Sequence, residues 1–230
     1  MSVADTGQEE PGPAHDCPLC PRLVDFRREN RAKFPDWYNA PVPAFGAIGA
    51  RLLVVGLAPG LRGANRTGRP FTGDYAGDLL YPTLLDHGFA EGAYGAAADD
   101  GLRLVDCRIT NAVRCVPPEN KPVGREIGAC RSYLEDEIAA MPNLKVIVAL
   151  GTTAHDSVVR TLGLRRAALP FGHGRFHDLP DSQVLADSYH CSRYNTNTGR
   201  LTPAMFDAVF AEIRRRLDAL SAAAPPPPRS

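Results

Sequence analysis

The sequence predicts an α/β fold of three layers, with helices on both faces of a central, mainly parallel four-stranded sheet. Three observations predict it: four short apolar runs, helical patterns lying between them, and candidate motifs placed where the runs end. The runs are residues 51–57 (RLLVVGL), a stretch within 102–113, 144–150 (LKVIVAL) and 183–189. Short, continuously apolar segments suit strands covered on both sides.

Among the helices, residues 78–87 carry Leu79, Leu80, Leu84 and Leu85, while Pro82 asks for a late start or a kink. Residues 124–140 repeat apolar side chains at Ile127, Leu134 and Ile138, and 153–162 follow the third run directly. In the last helix Thr202 suits the cap and Pro203 the first position, and Phe206, Val209, Phe210, Ile213, Leu217 and Leu220 form one stripe. Alternating strands and helices imply parallel pairing, and such sheets bind ligands beyond the carboxyl ends of their strands. One domain, 17–220, holds these elements. It is flanked by an N-terminal segment, 1–16, and a Pro-rich tail, 221–230 (SAAAPPPPRS), both expected to be disordered.

With 44% apolar and 23% charged residues over 230, the chain has the composition of a soluble globular protein. No stretch approaches a membrane span, and residues 1–16 carry four acids and no apolar centre, unlike a secretory signal. A cytoplasmic setting is therefore expected, in which six cysteines serve metal binding better than disulfides. The net charge of zero conceals an asymmetry: residues 20–73 hold nine Lys/Arg and three acids, residues 74–106 seven acids and one Arg. Such segregation can present a basic face to phosphates, or can simply be solvated loops.

Four cysteines are candidate ligands: Cys17 and Cys20 in a C-x-x-C pair, then Cys115 and Cys130 with fourteen residues between them. Four thiolates suit a cubane iron–sulfur cluster or a structural zinc, and spacing alone leaves both open. Cys107, within a strand, and Cys191 are read as ordinary residues. The first strand closes on Gly56-Leu57-Ala58-Pro59-Gly60, where glycines let backbone amides approach a ligand. In 67–74 (TGRPFTGD), Phe71 suits stacking on a flat ring or a place in the core. Asp74 suits taking a proton from water or capping the next helix.

Asn111, ending the second strand in 110–115 (TNAVRC), offers a donor and an acceptor together, as a pyrimidine edge requires, though an Asn also serves turns. His190, in 190–195 (HCSRYN) beyond the fourth strand, can donate to a developing anion. His173 and His177 are spaced like metal ligands, but FGHGRFHD around them reads as a polar loop.

Taken in order, GLAPG at 56–60, GRPFTGD at 68–74, TNAVRC at 110–115 and HCSRYN at 190–195 resemble family 5 of the uracil-DNA glycosylase superfamily. The likeness runs from Cys17 to about Arg214. It implies that Cys17, Cys20, Cys115 and Cys130 bind a [4Fe–4S] cluster bracing loops that touch DNA. It also implies base contacts from Gly56, Leu57, Ala58, Phe71, Asn111 and Asn195, donation to the base O2 from His190, and water activation by Asp74. Related branches place a Glu second in the first motif; Leu57 stands there in this chain, which leaves Asp74 as the general base.

The implied function is excision of uracil, and of other deaminated or damaged bases, from DNA by a monomer. An enzyme acting on a base must first flip it from the stack, which costs a few kcal/mol. Two rival readings need the same cysteines. One is a non-catalytic cluster-bearing DNA-binding module, which has no use for Asp74. The other is a protein bonded covalently to the abasic site through a His in an Arg-rich loop; the nearest segment, 164–168 (LRRAA), has no His.

Overall fold

The computed structural model describes residues 11–222. Its strands are β1 (Leu52–Gly56), β2 (Ala90–Glu91), β3 (Arg103–Leu104), β4 (Cys107–Asn111), β5 (Val146–Leu150), β6 (Phe176–Asp178) and β7 (Val184–Ser188). Its α-helices are α1 (Pro21–Lys33), α2 (Ala64–Thr67), α3 (Tyr75–Asp86), α4 (Gly124–Ala140), α5 (Thr152–Thr161), α6 (Arg193–Asn197) and α7 (Pro203–Ala222).

The main sheet has five strands in the order β4-β1-β5-β7-β6, where four were expected. The four expected strands pair in parallel, and β6 adds an antiparallel edge on β7. β1, β4 and β5 are buried at every position, as a sheet covered on both faces requires. Alternate residues divide between two cores. Leu52, Val54, Val146, Val148 and Ala186 join α3 and α7 on one face. Leu53, Val55, Ile147, Ala149 and Leu185 join α4 and α5 on the other. The open edge of β4 is closed by Phe45, whose N–H and C=O both bond Ile109 (2.9 and 2.7 Å).

One expected helix shifts and another keeps its start. α3 starts at Tyr75, capped by Asp74, and runs through Pro82. α7 carries the expected stripe, with Thr202 Oγ1 accepting from Met205 N at 3.2 Å, but Leu220 at its end is exposed. α1 was not foreseen; its sequence is mostly polar, and of its apolar residues only Leu23 is fully buried. Of the two segments expected to be disordered, residues 1–10 and 223–230 lie outside the described residues. Within 11–16, Asp16 accepts from Arg31 Nη1 at 2.6 Å; residues 221–222 end α7. Among the described residues no helix is long and apolar enough to cross a membrane.

A fully buried charge cluster fixes the carboxyl end of β4. Glu137 of α4 accepts from Arg108 Nε (2.6 Å), Thr110 Oγ1 (3.1 Å) and Arg114 Nη2. The contacts straddle Asn111 and stop one residue short of Cys115, so one carboxylate anchors the strand end that carries both.

Candidate active site

A cavity of about 1000 Å³ opens beyond the carboxyl ends of β1, β4, β5 and β7. Leu57, Ala58, Phe71, Asp74, Asn111, His190 and Asn195 all line it. Gly56 does not; it lies behind the wall, and a Cβ there would overlap Asn111 Oδ1 and stand 2.5 Å from Phe71 Cζ. Its contribution is the space that lets those two side chains meet.

Phe71 holds a left-handed backbone (φ 53°), a costly conformation for an aromatic residue. Its surroundings enforce it. Arg69 grips Asp100 with both arms (2.8 and 2.7 Å) and Thr72 through Nε (2.7 Å), and Tyr81 donates to Pro70 O at 2.6 Å. Hydrogen bonding to Arg69 holds the Asp100 carboxyl well below the usual carboxylate range. The Phe71 ring lies 6.0 Å from that of His190, at 30°.

Asp74 caps α3, accepting from Gly77 N at 3.3 Å, and also faces the cavity. Burial raises its carboxyl pKa, against the pull of the Gly77 and Ala76 amides. The loop before it is carved around this carboxylate: a Cβ on Gly60 would stand 2.9 Å from Oδ2, and one on Gly63 would overlap it. Both readings of Asp74, cap and cavity carboxylate, are therefore met by one side chain.

Asn111 is 4% exposed, and its amide has no hydrogen-bond partner among the described residues. Facing the cavity, that amide has its donor and its acceptor available to a ligand. Burial pushes the His190 imidazole down to about 4, so it is neutral at pH 7 and donates through one N–H. Asn195 uses its side-chain N–H on His190 O (2.8 Å), which makes it a clasp on the histidine loop in this structure.

Several lining residues carried no motif signal: Asn120, Phe171, Tyr189, and the exposed Arg62 and Arg200; Arg193, also exposed, lies in HCSRYN but was given no role there. Asn120 follows Glu119 in a turn where both take left-handed backbone (φ 56° each), and the Pro-Pro before it was the one available cue. Arg193 lies over Tyr75 (5.2 Å) and Arg200 over Tyr189 (4.6 Å), giving the rim a cationic border.

The four cysteines gather at a second, small apolar hollow, which Leu23, Arg27, Val113 and Tyr133 also line. Arg27, 4% exposed, donates to Cys17 O (3.1 Å) and Cys115 Sγ (3.8 Å). It meets no carboxylate among the described residues, and its Nε has no partner. Arg114 N points at Cys130 Sγ (3.4 Å) and Tyr133 Oη lies 3.6 Å from Cys17 Sγ. A buried guanidinium among thiols fits an anionic group held by those sulfurs. Among the described residues, the set of metal-ligating groups that converges within 4.8 Å is a different one, His155, His177 and Asp187. A zinc in a tetrahedron of thiolates at about 2.3 Å would need its sulfurs closer than that. Cys107 and Cys191 are buried elsewhere in the core.

A family model described as the uracil DNA glycosylase superfamily matches residues 43–214. The chain is 47% identical over 204 residues to a type-5 uracil-DNA glycosylase of Thermus thermophilus, covering 86% of this chain and 93% of that protein. It is 43% identical to a protein of the same name from Mycobacterium leprae, covering 86% and 90%. A third type-5 uracil-DNA glycosylase, from Pyrobaculum aerophilum, is 40% identical, with 87% of each chain covered. Matched along nearly all of its described length, the chain belongs to the uracil DNA glycosylase superfamily, on its type-5 branch.

Proposed function

We propose that the chain is a monofunctional DNA glycosylase of base excision repair, hydrolysing the N-glycosidic bond of uracil and of other deaminated or damaged bases. The observation that carries this reading is the convergence of a carboxylate, a side-chain amide, a neutral imidazole and an aromatic ring on the wall of one cavity. The names of the type-5 relatives support the same substrate.

In this reading the base leaves the stack and lies on Phe71, with its Watson–Crick edge against Asn111. As the C1′–N bond lengthens, positive charge grows on the sugar and negative charge on the base. Leu57 and Ala58 bring backbone amides toward the negative end, and His190 donates there; oriented donors of this kind are worth roughly 3–4 kcal/mol each. Asp74 stabilises the positive end and takes the proton of the attacking water, which bonds to C1′ as the base departs. The raised pKa of Asp74 makes it a better proton acceptor than an ordinary carboxylate. Arg62, Arg193 and Arg200 suit the phosphates flanking the extruded nucleotide. In this reading the protein acts as a monomer on nucleoid DNA, where its substrate lies.

Cys17, Cys20, Cys115 and Cys130 would hold a [4Fe–4S] cluster, which supplies a rigid cross-link between α1, α4 and the segment after Asn111. The Arg27 cation, which donates to Cys115, and the Arg114 N–H aimed at Cys130 support that assignment. The test is a duplex bearing one uracil: alkali-labile breaks at that site are expected, and an intact strand from protein that binds the duplex would contradict the reading.

A further inference from the structure

Beyond the reacting groups, a second polar cluster lies behind the cavity. Asp187 of β7 is fully buried and receives three donors: His155 Nδ1 (2.7 Å), His177 Nε2 (3.1 Å) and Gly172 N (3.2 Å). His155 of α5, 1% exposed, turns its other nitrogen to Leu169 O at 2.8 Å. A neutral imidazole has one N–H, yet both nitrogens of His155 face oxygens, an arrangement that favours an imidazolium paired with a carboxylate. Burial opposes that charge, but the hydrogen bond and charge of Asp187 and the Leu169 carbonyl outweigh it and raise the pKa of His155.

The cluster fastens one segment. Residues 169–175 are held by Leu169 O and Gly172 N, and by main-chain bonds from Gly174 N to Asp187 O (2.8 Å) and Asp187 N to Arg175 O (2.9 Å). That segment carries Phe171, whose ring meets His155 edge-on at 5.6 Å and lies 6.1 Å from Tyr189. Phe171 and Tyr189 both line the cavity, and Tyr189 leads directly into His190.

We propose that Asp187 and His155 are positioning residues, whose buried ion pair sets Phe171 and Tyr189 as the wall that receives the extruded nucleotide. This rests on the glycosylase reading for its substrate. The pair touches no reacting atom, so its loss acts on binding. The trio with His177 is also compact enough for one cation, but every contact is already a hydrogen bond, and Gly172 N–H and Leu169 O complete the set.

Single-turnover excision by the full iron-replete chain tests this with Asp187→Asn, Phe171→Ala and the double variant. Each single variant is expected to raise the half-saturating enzyme concentration about tenfold while the maximal rate stays within about threefold, and the double variant to be no worse than the worse single. A fall in maximal rate at unchanged half-saturation, or additive losses, would overturn the proposal. Should Asp187→Asn not fold, nitrogen-15 NMR of the wild type still decides. Both His155 ring nitrogens are expected to be protonated at pH 7.5; a neutral ring, or stoichiometric zinc bound at these three residues, would overturn it. Uracil excision by the wild type is the control, so failure of the glycosylase reading shows separately from failure of the ion pair.

Discussion

Gly56 and Asn111 stand opposite each other across the β1–β4 ladder, and the missing side chain of the first makes room for the amide of the second. The parallel register thus sets the amide proposed to read the base beside the Phe71 ring. Gly56→Ala is expected to displace both, costing about 1–3 kcal/mol of stability. Excision should fall about 100-fold, because an error of about 1 Å at a reacting group has that effect. Chemical denaturation and single-turnover rates measure the two, and unchanged excision would remove Gly56 from the account.

The pH dependence follows from two opposite shifts. His190 is pushed down to about 4, so it keeps one protonation state between roughly pH 5 and 8. Asp74 is raised and must be ionised to act, so the rate should fall as the pH drops through a value above the ordinary carboxylate range. A pH–rate profile of His190→Gln should keep that inflection on a lower plateau. An inflection that moves with His190 and ignores Asp74 would reverse the assignment.

Glu137 accepts from two buried arginines at the end of β4, so Glu137→Gln should weaken both charge-assisted contacts and cost about 1.5–3 kcal/mol. Equilibrium unfolding checks this. A loss under about 1 kcal/mol would mean that the cluster is not the anchor of β4.

Iron and sulfide analysis checks the cysteine corner. About four of each per chain is expected, with a visible absorption band lost in Cys115→Ser. Stoichiometric zinc in the native protein would replace the cluster in this account.

Much of the architecture was legible because its strands are continuous apolar runs that end in Gly, Asn or His, and those ends are where ligands bind. Phe71, Asp74, Asn111 and His190 could be named from their motifs, and the fold brings them to one cavity. β6 was not legible. It is a three-residue edge strand in a polar segment, and its His177 is explained by Asp187, ten residues on. The network around His155 was equally hidden, since a helix, a loop and a strand between residues 155 and 187 each supply one part of it. Asn195 shows the converse: a motif position points to the site without fixing the role, and one of its two N–H groups is already on His190 O.

The central claim is that Asp74 activates the water. Asn retains the shape and capping ability of Asp, so Asp74→Asn should fold, bind a uracil-containing duplex like the wild type, and melt within about 1 kcal/mol of it. Its single-turnover excision rate should fall by roughly a hundred- to ten-thousand-fold. A rate within about threefold of wild type, under half a kcal/mol of barrier, would show that the proton goes elsewhere.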